Sequence, residues 1–278
     1  MAPQNEAPAH QLGRVQKRIP RPSSPADHGE VSHFVPEGLP SGGVPYPWST
    51  AGYVQTSIGR SGAGALVGSN FFITSSRLVP WGQDSWWMRF AAGFNAPSTL
   101  NDAGDPVGNI APYGWVYVEE AYGYDTVNPG PDDYVICKLY SPLGEQTGYM
   151  GAEEFPNTGD YINTWPFVAF FGGVGFPYIR ESAIPIPITS IQDDNFPSDL
   201  LLISNNFDTA LGVGGPGQEF SEGLVGCPLV NGWPDVPPYV IAVQSGETGD
   251  SDEGPPYIGW SAGRLLVNLV IYGRENWS

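Results

Sequence analysis

Histidine, the side chain best suited to moving protons near neutral pH, occurs three times in this 278-residue sequence, at His10, His28 and His33. All three precede anything that reads as a folded domain, so the body of the chain contains no imidazole. The remaining nucleophile types are sparse. Cys137 and Cys227 lack metal-ligand spacing and are too few for a disulfide framework, which leaves two readings open, buried thiols or one bridge between distant segments. Ser221 sits between carboxylates in Glu219-Phe220-Ser221-Glu222. A thiol or hydroxyl with acidic neighbours and no base is a poor nucleophile. The acidic doublets Glu119-Glu120, Asp132-Asp133, Glu153-Glu154 and Asp193-Asp194 are not catalytic pairs by spacing, because adjacent strand residues point to opposite faces. Asp250-Ser251-Asp252-Glu253 lacks the twelve-residue form of a calcium loop, and no metal is expected. Gly212-Val213-Gly214-Gly215-Pro216-Gly217 lacks the lysine and following helix of a phosphate cradle, so no cofactor is expected.

Aromatic residues are the other functional candidates. Trp86-Trp87 puts one ring on each face of a strand, which predicts at least one at the surface. Packing explains most such rings; the binding reading is an aromatic-rimmed cleft for a protein, peptide or carbohydrate.

The elements that must position these residues read as strands. Glycine (37) and proline (29) make up nearly a quarter of the chain and helix signals are scarce, whereas an apolar fraction of 41% is enough for a core. Strand-like runs bounded by turn residues cover residues 52–58, 64–68, 71–75, 86–94, 114–118, 134–140, 167–171, 184–188, 200–204, 228–230 and 239–244. The last segment, 258–272, differs: Leu265, Leu266, Leu269 and Val270 recur at helical spacing, which predicts an amphipathic helix packed on a β body.

The opening stretch reads as an extended arm, rich in proline and serine and without periodicity. Lys17-Arg18 within it is either a dibasic processing site or a solvated basic patch. The first forty residues carry four basic and four acidic side chains, so the net charge of −18 belongs wholly to the body. A polyanionic body repels phosphates and anionic lipid heads, so neither nucleic acid nor a membrane is expected as a partner. Met1 to His10 has no hydrophobic signal-peptide core and no apolar run is long enough to span a bilayer.

Three motifs in order carry a resemblance. Gly62 to Gly68 and Phe71 to Ser75 form strand, turn and strand, and end in Thr74-Ser75-Ser76-Arg77. Asp132-Asp133-Tyr134-Val135-Ile136-Cys137-Lys138-Leu139 follows. Gly223-Leu224-Val225-Gly226-Cys227-Pro228 comes next, then Tyr239 to Gly246. This series resembles the chymotrypsin-like serine peptidases, whose corresponding stretches read T-A-A-H, D-Y-A-L-I-x-L and G-x-S-G-x-P, and within them the secreted glutamyl-endopeptidase-like branch.

The resemblance implies an all-β fold of two six-stranded antiparallel barrels with a C-terminal helix, divided into an arm or propeptide remnant (1–44), an N-terminal barrel (45–150) and a C-terminal barrel (151–278). It places Arg77 in the slot of the general base, Asp133 in that of the orienting acid and Val225 in that of the nucleophile. A guanidinium stays protonated and an isopropyl group has no lone pair, so two of the three slots hold the wrong chemistry. Arg77 and Asp133 are then expected to pair. Gly223 and Gly226 would shape an oxyanion-binding loop, and Gln244, Ser245 and Gly246 would border the specificity pocket. Glutamate-specific members carry histidine where Gln244 stands. The expectation is a secreted, inactive peptidase homologue that binds or builds through its former cleft; the alternative is an enzyme with altered chemistry there.

Overall fold

The computed structural model describes residues 12–19, 30–36, 44–94, 111–124, 130–155, 168–170, 183–185, 188–195, 199–205, 225–231, 238–248 and 257–277. Its first sheet contains β3 (Ala51–Thr56), β4 (Ser61–Leu66), β5 (Phe71–Thr74), β6 (Met88–Ala92), β7 (Val116–Tyr124) and β8 (Val135–Leu139). These pair antiparallel in the order β7-β6-β3-β4-β5-β8, and a β7–β8 ladder closes the ring into a six-stranded barrel. Alternation along each strand fills it. Leu66, Phe72, Phe90, Val135 and Cys137 point inward, with Phe72 stacked on Phe90 at 4.5 Å. Phe71, Ile73, Tyr134 and Ile136 belong to a different cluster on the outer face.

The second sheet contains β10 (Val168–Phe170), β11 (Ala183–Pro185), β12 (Ile188–Asn195), β13 (Asp199–Asn205), β14 (Pro228–Asn231), β15 (Tyr239–Thr248) and β16 (Tyr257–Ala262). They run antiparallel in the order β11-β10-β14-β15-β16-β13-β12, and among the described residues no pairing joins β11 to β12. The short strand β9 (Gly151–Glu153) lies parallel to β15. A single-turn helix, α1 (Gly144–Thr147), precedes it, and α2 (Arg264–Trp277) ends the described chain. Leu265, Leu266, Leu269 and Val270 of α2 meet the outer face of β5 and β8 together with Val230, Val240 and Val243 of the second sheet. No helix of the described residues is long and apolar enough to cross a membrane.

Three expectations change. The segment 258–272 is not helical throughout: Ile258, Trp260 and Ala262 alternate into the core of the second sheet as part of β16, and Gly263, at φ +112°, turns the chain into α2. The arm is not merely extended. β1 (Val15–Ile19) runs parallel to β7, and β2 (Glu30–Val31) pairs antiparallel with β9, so the arm touches both sheets and Lys17-Arg18 lies inside a strand. Both cysteines are fully buried thiols and neither is in a disulfide, which excludes the bridge.

Candidate functional site

β5 ends at Thr74, and the chain turns through one 3-10 turn, Ser76–Leu78, capped by Ser75. That turn lifts Arg77 over the start of β8, where Asp133 is fully buried. Arg77 donates from Nε to Asp133 Oδ2 at 3.0 Å and from its backbone amide to Oδ1 at 3.2 Å. Oδ2 also accepts from the hydroxyls of Ser75 (3.0 Å) and Ser245 (2.8 Å), and Ser245 Oγ accepts in turn from Arg77 Nη2 at 3.4 Å. One carboxylate thus takes four donors, three from the turn that follows β5 in the first barrel and one from β15 of the second sheet. Burial pushes the Asp133 carboxyl above its ordinary value, while the Arg77 guanidinium and the two hydroxyls draw it back.

Gly246 sits directly against this pair. Its φ is +135°, and a Cβ there would run into Arg77 Nη1. Arg60 donates from Nη1 to the Arg77 carbonyl, which fixes the far side of the turn.

Val225 lies across β4 from the Arg77 turn. Its carbonyl accepts from the Ala63 amide at 2.8 Å, and its side chain joins Leu78 in the apolar cluster of the first barrel. A Cβ on Gly62 would meet both the Val225 carbonyl and Leu78, so Val225 neighbours the residue that follows Arg77. Gly226 turns the chain at φ +86°, and its amide donates to the Gln244 carbonyl at 2.9 Å, which commits that N–H to β15. Gly223 lies outside the described residues.

The residues expected to border a specificity pocket are all drawn inward. Ser245 is spent on Asp133. Gln244 is only 1% exposed, and its Oε1 is buried without a hydrogen-bond partner. Trp86 and Trp87 divide as their alternation requires: Trp86 is 3% exposed and packs into the barrel, whereas Trp87 is half-buried, edge-on to Tyr117 and beneath the Arg89 guanidinium. Trp86 is therefore a packing residue rather than part of a binding rim, because its ring fills the barrel interior.

Ser75 is the member of the site that motif reading passed over. It stands inside the Thr74-Ser75-Ser76-Arg77 stretch, and its signal was a small hydroxyl residue directly before a helical turn, where capping residues belong. Among the described residues no alternative base or nucleophile reaches the site; His10, His28 and Ser221 lie outside the described residues. The His33 ring packs edge-on against Tyr239, six residues before Ser245 on β15, roughly 20 Å away at the rise of a strand. Burial pushes the Cys227 thiol well up, so it is not a nucleophile. Among the described residues no group of three or more histidine, cysteine or carboxylate side chains is placed to hold a metal ion.

No protein-family model and no curated protein matches the chain. Among solved structures it is similar to a Glu endopeptidase in complex with MPD, with 16% identity and a TM-score of 0.55 over 90% of this chain and 98% of that one. A closed six-stranded barrel, a second mainly antiparallel sheet and one terminal helix, superposed at that extent, give this chain the trypsin-like serine peptidase fold.

Proposed function

We propose that the chain is a peptidase-fold protein without hydrolytic activity, acting as a binding or structural protein through the cleft where its relatives would hold substrate. One observation carries this reading: the carboxylate that would orient a base is filled by the permanent cation Arg77, two hydroxyls and an amide. Proton removal from a nucleophile needs a group that can be neutral at working pH, and a guanidinium is not one. Val225 offers no attacking atom in its side chain, and Cys227 is sealed in the core. The ligand of the proposed cleft is a protein, peptide or carbohydrate; of the residues expected to meet it Trp87 keeps an accessible surface, whereas Gln244, Ser245 and Gly246 are buried and serve as its support. Residues 45–150 and 151–278 serve as the two barrel units of this design, and the protein works outside the cell.

Incubation with casein and with a fluorophosphonate probe tests the reading. No cleavage and no stable labelling are expected; an acyl or phosphonyl adduct on the chain sinks it and favours altered chemistry in the same cleft. The double substitution Arg77→His with Val225→Ser supplies the positive control for a cleft that has kept its geometry.

A further inference from the structure

β7 is nine residues long, but on one edge β6 pairs only with Val116 and Tyr117. The five residues from Glu120 to Tyr124 would leave that edge bare, with unpaired amides and carbonyls open to another strand. The arm fills it. Val15 to Ile19 pair in parallel with Glu120 to Tyr124, residue for residue.

The fit goes beyond backbone pairing. Upstream of β1 the Gly13 amide donates to the Trp86 carbonyl at 3.0 Å, and a Cβ on Gly13 would strike the Trp86 ring. The Arg14 amide donates to the Glu119 carbonyl at 2.7 Å while its guanidinium meets Glu119 Oε1 at 3.0 Å and lies over Tyr140 at 5.3 Å. Tyr140 in turn donates its hydroxyl to the Leu12 carbonyl at 2.7 Å. Alternation then sorts the rest. Gln16 and Arg18 face the loop after the Arg77 turn: Gln16 Nε2 donates to the Pro80 carbonyl at 2.8 Å, Gln16 Oε1 accepts from the Gly82 amide at 2.9 Å, and Arg18 stacks on Trp81 at 4.4 Å. Lys17 faces the other way, over Tyr122 at 5.5 Å.

We propose that the overhang of β7, with Glu119, Tyr122, Tyr140, Trp81 and the Pro80–Gly82 backbone, is a strand-addition site for an extended basic peptide, and that this chain's own arm is its resident. The ligand class is set by what the site offers. A glycine must pass Trp86, a glutamine-type amide must bridge Pro80 and Gly82, and three cations must each find a ring. On this assignment Lys17-Arg18 is an anchor rather than a processing signal, because a peptidase needs an extended, unpaired segment. The assignment is independent of whether the neighbouring site performs chemistry.

The test vacates the site without shortening the chain. Arg14→Glu, Lys17→Glu and Arg18→Glu are combined in the full-length protein, and a fluorescent peptide of residues 11–21 is titrated against it. Saturable binding is expected, at least tenfold tighter than to the wild-type chain, and weakened at least tenfold when Glu119→Lys is added. No binding to the folded triple variant, or equal binding to both chains, overturns the proposal. Trypsin provides a second measurement on the unaltered protein. Cleavage after Lys17 and Arg18 is expected at least tenfold more slowly than in the free peptide, and equal rates overturn the assignment.

Discussion

Arg77 grips Asp133 at both carboxylate oxygens, through its Nε on one and its own backbone amide on the other. The side chain and the turn that carries it are therefore fixed by the same acid. Removing the cation leaves a fully buried carboxylate with only neutral donors, which costs about 3–5 kcal/mol. Urea unfolding of Arg77→Ala is expected to show a loss of that size, and adding Asp133→Asn is expected to recover a large part of it. A loss within 0.5 kcal/mol, the range of a plain surface substitution, would show that the pair contributes nothing.

Gly246 gives a sharper probe of the same contact. Gly246→Ala forces a Cβ against Arg77 Nη1 and strains a backbone at φ +135°, whereas Gly59→Ala meets nothing within 4 Å and strains only a backbone at φ +79°. Both lose about 1–3 kcal/mol from strain, and Gly246→Ala is expected to lose more than Gly59→Ala in thermal melts. Equal losses would mean that Arg77 moves aside freely.

Val225→Ser is expected to be destabilising without creating activity. The new hydroxyl enters an apolar cluster beside Leu78, at a cost of about 1–3 kcal/mol if it finds no partner. Fluorophosphonate labelling of this single variant is expected to stay at background, because among the described residues no base stands within reach; strong labelling would reveal another activating group.

Glu30 and Glu153 face each other as partners across β2 and β9. Burial raises the Glu153 carboxyl, Asn231 lowers it by donating to Oε1, and the Glu30 charge raises it further. A folded value above the unfolded one means that the protein binds this proton more tightly when folded. The stabilisation is complete below the ordinary glutamate range and is lost as pH rises through the raised value. Glu153→Gln is expected to flatten the fall in melting temperature as pH rises above the ordinary glutamate value of about 4.3. An unchanged slope would refute a role for this carboxyl.

Much of the barrel was legible as short apolar runs bounded by turn residues, such as those that hold Phe72 and Val135, and as the alternation of Met88, Phe90 and Ala92. The parity of Trp86 and Trp87 also told that at least one ring would be partly exposed, though not that it was Trp87. The arm strands were not legible. Val15-Gln16-Lys17-Arg18-Ile19 lacks an apolar face, because its partners are rings and carboxylates of the body rather than a hydrophobic core. β16 was hidden for a different reason: Ile258, Trp260 and Ala262 run without a break into the apolar stripe of α2, and only the conformation of Gly263 separates the two periods. The resemblance, not spacing, suggested that Arg77 would pair with Asp133, as it does, but it did not show that Ser245 donates to the same carboxylate.

β4 is built almost entirely of backbone, Ser61-Gly62-Ala63-Gly64-Ala65-Leu66. Ala63 belongs to the core of the second sheet, Ala65 to the seam under α2 and Leu66 to the interior of the first barrel. Three cores converge on a strand with almost no side-chain bulk, so none of them can loosen without withdrawing support from the other two. The two sheets are thereby tied into a single melting unit, and a calorimeter should record one sharp endotherm where two separable lobes would give a shoulder.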